Sequence, residues 1–171
     1  EGRRSGVYVQ RIRTGERTKV SARAGINGAP SFSPDGKRLA LTLGGTSGNP
    51  DIYILDLQTQ DLKRITDDPA IDTEAVWTPD GTSLYFTSDR AGAPQIYRIG
   101  TNAGARPRRM TFTGTYNARP CVSPDGTQIA FVSERGGSKQ VYVMPVEGGP
   151  AEQLTHHTAG YTLHGWYADG R

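Results

Sequence analysis

Ser33-Pro34-Asp35-Gly36 decides the reading of this 171-residue chain, because it returns as Thr78-Pro79-Asp80-Gly81, as Ser123-Pro124-Asp125-Gly126 and, altered, as Tyr167-Ala168-Asp169-Gly170. The aspartates stand 45, 45 and 44 residues apart. Two further landmarks keep step with them. One is an aliphatic-tyrosine pair at Val7-Tyr8, Ile52-Tyr53, Ile96-Tyr97 and Val141-Tyr142. The other is Val20-Ser21, Ile65-Thr66, Met110-Thr111 and Leu154-Thr155, each 13 or 14 residues after its tyrosine. Three landmarks in phase over nearly the whole chain establish an internal repeat.

Each repeat reads as four strands. Ser-Pro-Asp-Gly suits a type I turn, with Pro at the second position and Gly at the fourth. Alternating segments follow it, such as Leu39, Leu41, Leu43 or Leu84, Phe86, Ser88. A Gly-rich connection then leads into a more continuous apolar run, Ile52-Tyr53-Ile54-Leu55 in the first full repeat. Such a run marks a strand covered on both faces. A short outer strand around Lys63-Arg64-Ile65-Thr66 completes the set. No segment has a helical period. The expected class is all-β: β-propeller blades of four antiparallel strands, about 3.75 of them in this chain. Calling the strands A to D, with A before the Pro-Asp-Gly turn, strands are expected near 29–33, 38–43, 51–57 and 62–66, repeating at the same period. The whole chain, 1–171, reads as one propeller domain or propeller fragment, with a partial blade at 1–21, blades at 29–66, 74–111 and 118–155, and a terminal inner strand at 162–167. Compared with four closed repeats, it lacks only the counterparts of Gln128 to Glu134, one B strand. A gap of that kind leaves backbone groups open on two neighbours. The chain is therefore expected either to be part of a larger ring or to recruit a second polypeptide or another copy of itself.

Composition limits the function classes. Hydrophobic residues make up 35%, Gly numbers 22 and Pro 11, as suits short strands joined by tight turns. No run approaches the roughly 20 apolar residues of a membrane span, so no membrane insertion is expected. The net charge of +3 is dispersed, clustering only at Arg3, Arg4, Arg11, Arg13 and at Arg106, Arg108, Arg109. That is not a nucleic-acid surface, which needs its basic residues gathered on one face. The single cysteine, Cys121, excludes an internal disulfide framework and a multi-thiolate metal site.

Catalytic constellations are missing from the sequence: no Gly-x-Ser-x-Gly elbow, no His-Glu-x-x-His pair, no phosphate-cradling glycine loop before a helix. His156 and His157 are adjacent and would face opposite ways on an extended strand. The carboxylates Asp35, Asp80 and Asp125 are explained by their turn. Nothing in the spacing of Asp72, Glu74 and Asp89 demands a cation site. The expectation is no enzyme, no metal and no cofactor.

Residues from about Ile26 to Ala130 resemble the TolB family of periplasmic propeller proteins. The likeness is carried by Gly28-Ala29-Pro30-Ser31-Phe32-Ser33-Pro34-Asp35-Gly36, by Ile71-Asp72-Thr73-Glu74 and by Phe86-Thr87-Ser88-Asp89-Arg90-Ala91-Gly92-Ala93-Pro94-Gln95-Ile96-Tyr97. Beyond Glu134, Gln140-Val141-Tyr142-Val143-Met144-Pro145 and Gly165-Trp166 resemble generic Pro-Asp-Gly repeat (PD40, WD40-like) proteins. The resemblance implies a periplasmic scaffold of the Tol-Pal system that binds the lipoprotein Pal on one propeller face, where the D-to-A loops open. By motif those positions are Ile26, Asn27, Gly28, Ala29, Asp72, Thr73 and Glu74, with Tyr116 and Asn117. Residues on loops held by a rigid frame are well placed to bind. Asn27 and Thr73 have a second reading, as residues that only hydrogen-bond their own loops. Two other functions stay open: an engineered or truncated propeller piece with no native partner, and the propeller of a serine peptidase-type enzyme.

Overall fold

The computed structural model describes residues 6–44, 48–167 and 169–170. Its described residues form fourteen strands and no helix. The hairpin β1 (Val7–Gln10) and β2 (Arg17–Ser21) stands first. Three four-stranded antiparallel meanders follow. The first blade is β3 (Ile26–Phe32), β4 (Arg38–Gly44), β5 (Asp51–Asp56) and β6 (Leu62–Arg64). The second is β7 (Asp72–Trp77), β8 (Ser83–Ser88), β9 (Gln95–Gly100) and β10 (Arg108–Arg109), and the third β11 (Tyr116–Val122), β12 (Gln128–Glu134), β13 (Lys139–Pro145) and β14 (Glu152–Gln153).

The repeated tetrapeptide closes each A–B hairpin through its side chains. Gly36 N–H donates to the Ser33 carbonyl at 2.8 Å, and Gly36 holds φ at +68°, a region glycine enters without a Cβ penalty. The Ser33 hydroxyl donates to Asp35 Oδ1 and accepts from Arg38 N–H at 2.9 Å. Thr78 and Ser123 repeat this geometry with Asp80 and Asp125. The threonine landmark has an equally local cause. Thr66, Thr111 and Thr155 each accept on the hydroxyl from an N–H near the start of the neighbouring C strand, at Ile52, Ile96 and Val141, at 2.9–3.0 Å. A side chain thereby takes over from the backbone ladder, so β6 stops at Arg64 and not at residue 66.

The core lies in the seams between blades. Ala40, Ile52 and Ile54 pack against Ala75, Trp77, Leu84 and Phe86, whereas Tyr85, Ile96 and Met110 pack against Ile129, Phe131 and Tyr142. Val7, from the first hairpin, joins Leu39, Leu41, Leu43 and Leu55. Phe86 and Tyr85, successive residues of β8, thus fill opposite seams, and every residue of β8 is buried. A sheet sandwiched between two others requires that pattern.

Two boundaries differ from the sequence expectation. The inner strands begin earlier than expected, at Ile26, Asp72 and Tyr116, so positions read as loop lie within the sheet. A β-bulge in each lets pairing continue past the irregularity. The expected inner strand at 162–167 has no strand assignment, because no described segment forms a ladder with it; Ala168 lies outside the described residues. The segment is nonetheless anchored, since Tyr161 N–H donates to the Lys139 carbonyl at 2.7 Å and Trp166 Nε1 to the Cys121 carbonyl at 2.9 Å. The residues ahead of Gly6 in the partial first blade also lie outside the described residues.

Candidate binding face and channel

The same three layers stand at, or in the second blade just before, the start of each inner strand. At the rim stand Ile26 and Ile71, 49% and 46% exposed, and Tyr116, half-buried under Lys139, whose ammonium lies 4.4 Å from the ring centroid. These are equivalent positions, 45 residues apart. They form an apolar edge on one mouth of the molecule.

The next residue inward is buried and serves as a latch. Asn27 Oδ1 accepts from the Ser21 hydroxyl at 2.6 Å and from Arg23 N–H at 3.1 Å, and its Nδ2 donates to the Arg23 and Gly25 carbonyls. Asn117 Nδ2 donates to Gln95 Oε1 and to the Thr113 carbonyl, both at 3.0 Å. Asp72, with no exposed surface, accepts from Arg90 Nη2 at 2.7 Å on Oδ2. Its Oδ1 is the one buried side-chain oxygen or nitrogen among the described residues without a hydrogen-bond partner. A carboxylate cannot donate as the Asn117 amide does, and Gln95 is matched in the repeat by Asp51, another acceptor, which already holds Arg64 and Thr66.

The third layer is the bulge. Ala29, Glu74 and Arg119, again 45 residues apart, are left-handed at φ +45°, +56° and +57°. Non-glycine residues in this region are uncommon, and three in register mark a built feature. Just before them, a side chain at Gly28 would meet open space, and the Thr73 hydroxyl lies 3.3 Å from that of Thr42. Glu74 reaches across to the next blade. Its Oε1 meets Arg119 Nε at 3.2 Å, while its Oε2 accepts from Arg119 N–H at 3.2 Å and from the Thr87 hydroxyl at 3.1 Å. Ala29, Glu74, Arg119, Cys121, Leu163 and His164 are among the walls of a cavity of about 250 Å³ between the inner strands. Burial pushes the Cys121 thiol above its ordinary range, so it is a poor nucleophile there.

Of the nine residues expected at the site, Ile26, Ile71's neighbour Asp72, and Tyr116 with Asn117 therefore sit at or just under one rim, and Ala29 and Glu74 face the channel beyond it. Asn27, Asp72 and Asn117 are latches whose polar atoms turn inward. Ile71, Arg119, Thr42 and Thr87 were missed. The repeat period would have found two of them, since Ile71 stands one period after Ile26 and Arg119 one after Glu74, whereas Thr42 and Thr87 match none of the nine.

The hydroxyl of Thr78, together with Thr82, lowers Asp80 to about 2, and Asp35 and Asp125 are lowered first by Ser33 and Ser123. His157 Nδ1 accepts from Ala159 N–H at 3.1 Å and its ring meets Tyr161 edge-on. Among the described residues no group of three or more His, Cys, Asp or Glu is arranged to hold a metal ion, and no helix is long and apolar enough to cross a membrane.

A family profile described as the TolB beta propeller domain matches residues 1–130, and one described as the Tricorn protease N-terminal beta propeller domain matches 95–171. The Tol-Pal system protein TolB of Francisella tularensis subsp. mediasiatica is 43% identical over 99 residues, which is 57% of this chain and 22% of that protein. The crystal structure of TolB from Acinetobacter baumannii superposes with a TM-score of 0.81 at 45% identity, covering 89% of this chain and 38% of that one. A putative TolB from Agrobacterium tumefaciens also gives 0.81, at 25% identity, over 89% of this chain and 57% of that one. The chain thus spans less than two thirds of the length of each of these relatives.

Proposed function

This chain belongs to the TolB β-propeller (PD40) family, and on that premise we propose that it is a non-catalytic, periplasmic protein-binding scaffold of the Tol-Pal type, which takes a Pal-like lipoprotein on one propeller face. One observation carries the reading. Ile26, Ile71 and Tyr116 repeat at equivalent positions along a single mouth, where two exposed aliphatic side chains and an aromatic ring stand on rigid, latched strand starts. Interfaces are built on apolar and aromatic anchors of this sort, surrounded by polar residues. The buried latches beneath them hold the anchors still, which limits the ordering cost of binding.

The test is calorimetry of the soluble domain of a Pal-like lipoprotein against the wild-type chain and Ile71→Asp. Affinity should fall by about tenfold or more, the range of an interface anchor, with melting unchanged. Equal affinity in an equally stable variant would move the site away from this mouth. The profile match to the Tricorn protease propeller over 95–171 favours a second reading, a propeller accompanying a peptidase. A hydrolase domain joined to this propeller in the parent protein, found by sequencing the full-length gene, would select it.

A further inference from the structure

Arg90 and Arg135 stand one period apart and are held alike, but only Arg90 has acids to bind. Each donates its Nε to the serine two residues before it, Ser88 at 2.9 Å and Ser133 at 3.0 Å. Each lies over a phenylalanine and a tyrosine, Phe86 with Tyr97 and Phe131 with Tyr142. Arg90 Nη2 then donates to Asp72 at 2.7 Å, and its Nη1 faces Asp68 at 3.7 Å. The matching stations of the third blade carry Asn117 and Thr113. Arg135 Nη2 reaches only Asn117 Oδ1, at 3.5 Å. Among the described residues its Nη1 has no acceptor and no carboxylate pairs with it.

This guanidinium forms part of the wall of a cavity of about 280 Å³, which it shares with Ser138, Gln140, Gln153, His156 and His157, and no Asp or Glu lines it. The amide oxygens there are already taken. Gln140 Oε1 accepts from the Thr155 hydroxyl and Gln153 Oε1 from the Tyr142 hydroxyl. Gln140 Nε2 donates to Ser138 Oγ and to the His157 carbonyl. What the side chains still offer is mainly donors: Arg135 Nη1, the Ser138 hydroxyl proton and His157 Nε2–H, since His157 Nδ1 accepts from Ala159 N–H. The His156 ring alone can also accept. Glu134, the acid nearest in sequence, lines the neighbouring cavity together with Lys139.

We propose that this cavity is a binding site for a small organic carboxylate, held by Arg135. A donor-lined cavity around an arginine without a counter-ion leaves a positive charge to be met. A carboxylate meets it with the charge-assisted hydrogen bonds that Asp72 gives Arg90 one period earlier. Stacking on Tyr142, whose ring centroid lies 4.3 Å from the guanidinium carbon, holds the fork in place before the ligand arrives. A volume of about 280 Å³ falls just below the usual range of sites for drug-sized molecules, so the occupant is a small acid. Such a site needs no protein partner.

The probe is succinate titrated into isotope-labelled protein and followed by NMR, with succinamide as the uncharged reference. Succinate should shift the side-chain resonances of Arg135 and Gln140 and bind about tenfold or more tightly than succinamide. Arg135→Gln should weaken succinate by about tenfold or more. Because that change also removes the stacking on Tyr142, Thr113→Asp serves as a second variant. It puts a carboxylate at the station from which Asp68 faces Arg90, and should abolish the succinate shifts while raising the melting temperature. Equal binding of succinate and succinamide, inorganic phosphate binding as tightly as succinate, shifts that survive in either variant, or no shifts at about 10 mM succinate would each overturn the site. None of these results bears on lipoprotein docking, which the Ile71→Asp measurement decides alone.

Discussion

Trp77 donates its indole N–H to the carbonyl of Ser31 at 3.0 Å, tying the inner strand of the second blade to that of the first. The same bond recurs between Trp166 and Cys121 at 2.9 Å. Measured back from the turn aspartates, each tryptophan is three residues before its Asp and each acceptor four before the preceding one. The residue at 166 therefore occupies the station of an inner strand although it belongs to no ladder. Arg38 lies over the Trp77 ring at 4.6 Å and donates to the Gly81 carbonyl, so one side chain of the first blade clamps both the ring and the turn of the second.

Trp77→Phe should keep most of the packing and lose the inter-blade hydrogen bond. The cost expected is about 1–2 kcal/mol, because the Ser31 carbonyl is left short of a donor. Trp77→Ala adds a cavity in the seam and should cost about 3–5 kcal/mol. Urea unfolding of the three proteins measures both; a phenylalanine variant as unstable as the alanine one would mean that the bond outweighs the ring.

Asp72 gives a sharper contrast. Its Oδ1 lacks a donor, and the repeat places an amide at the same station in Asn27 and Asn117. Asp72→Asn should change stability by less than about 1 kcal/mol, since it puts at this station the amide that Asn27 and Asn117 carry while Arg90 keeps Asp68 and its stacking on Phe86 and Tyr97. Asp72→Ala leaves Arg90, itself largely buried, without its closest partner and should cost about 3 kcal/mol or more. Equal losses in the two variants would show that the charge, not the hydrogen-bond pattern, holds this seam.

The contrast between these latches and the bulges separates what the sequence discloses from what it does not. The tetrapeptide, the aliphatic-tyrosine pair and the threonine landmark are legible because each is a residue type demanded by a local bond: Ser33 to Asp35, Thr66 to Ile52 N–H. The blade order follows from their phase. The bulge is silent, since Ala29, Glu74 and Arg119 share no chemistry, and the left-handed backbone is set by the strands on either side. Pro30 and Pro120 were the available hint, because proline within a strand marks a bulge or an edge. For the same reason the loop expected at Ile26–Ala29 proved to be strand, and the side of the sheet each residue faces depended on an irregularity that alternation alone does not reveal.

The turn carboxylates predict an acid response. Asp80 is held at about 2 by the hydroxyl of Thr78 and by Thr82, below the ordinary value of 3.8. A depressed carboxylate adds stability that is present above its unfolded-state value and is lost as pH falls through its folded value. Asp35 and Asp125 shift in the same direction. Stability should therefore be flat above about pH 5 and decline between about pH 4 and 2. Thr82→Val removes one of the groups lowering Asp80 without touching the buried Thr78, and its titration midpoint, followed by carboxyl NMR, should move up toward the ordinary range. An unchanged midpoint would assign the shift to Thr78 and the backbone alone.

The turn glycines separate backbone strain from crowding between blades. Gly36 and Gly126 have nearly the same left-handed φ, +68° and +72°. A Cβ at Gly36 would meet nothing within 4 Å, whereas one at Gly126 would lie 2.8 Å from Cγ of Pro79 in the preceding blade's turn. Gly36→Ala should therefore cost only the left-handed penalty, about 1–2 kcal/mol. Gly126→Ala carries that penalty and must also push two turns apart, adding about 1–3 kcal/mol of overpacking. Pro79→Ala removes the crowding atom, so the double variant Pro79→Ala with Gly126→Ala should recover the excess and leave a coupling of that size in a double-mutant cycle. The same cycle between Pro79 and Gly36 should give none. Equal costs for the two glycine substitutions would mean that the blades yield at the turn without penalty, and that their spacing is set by the tryptophan and arginine clamps further in.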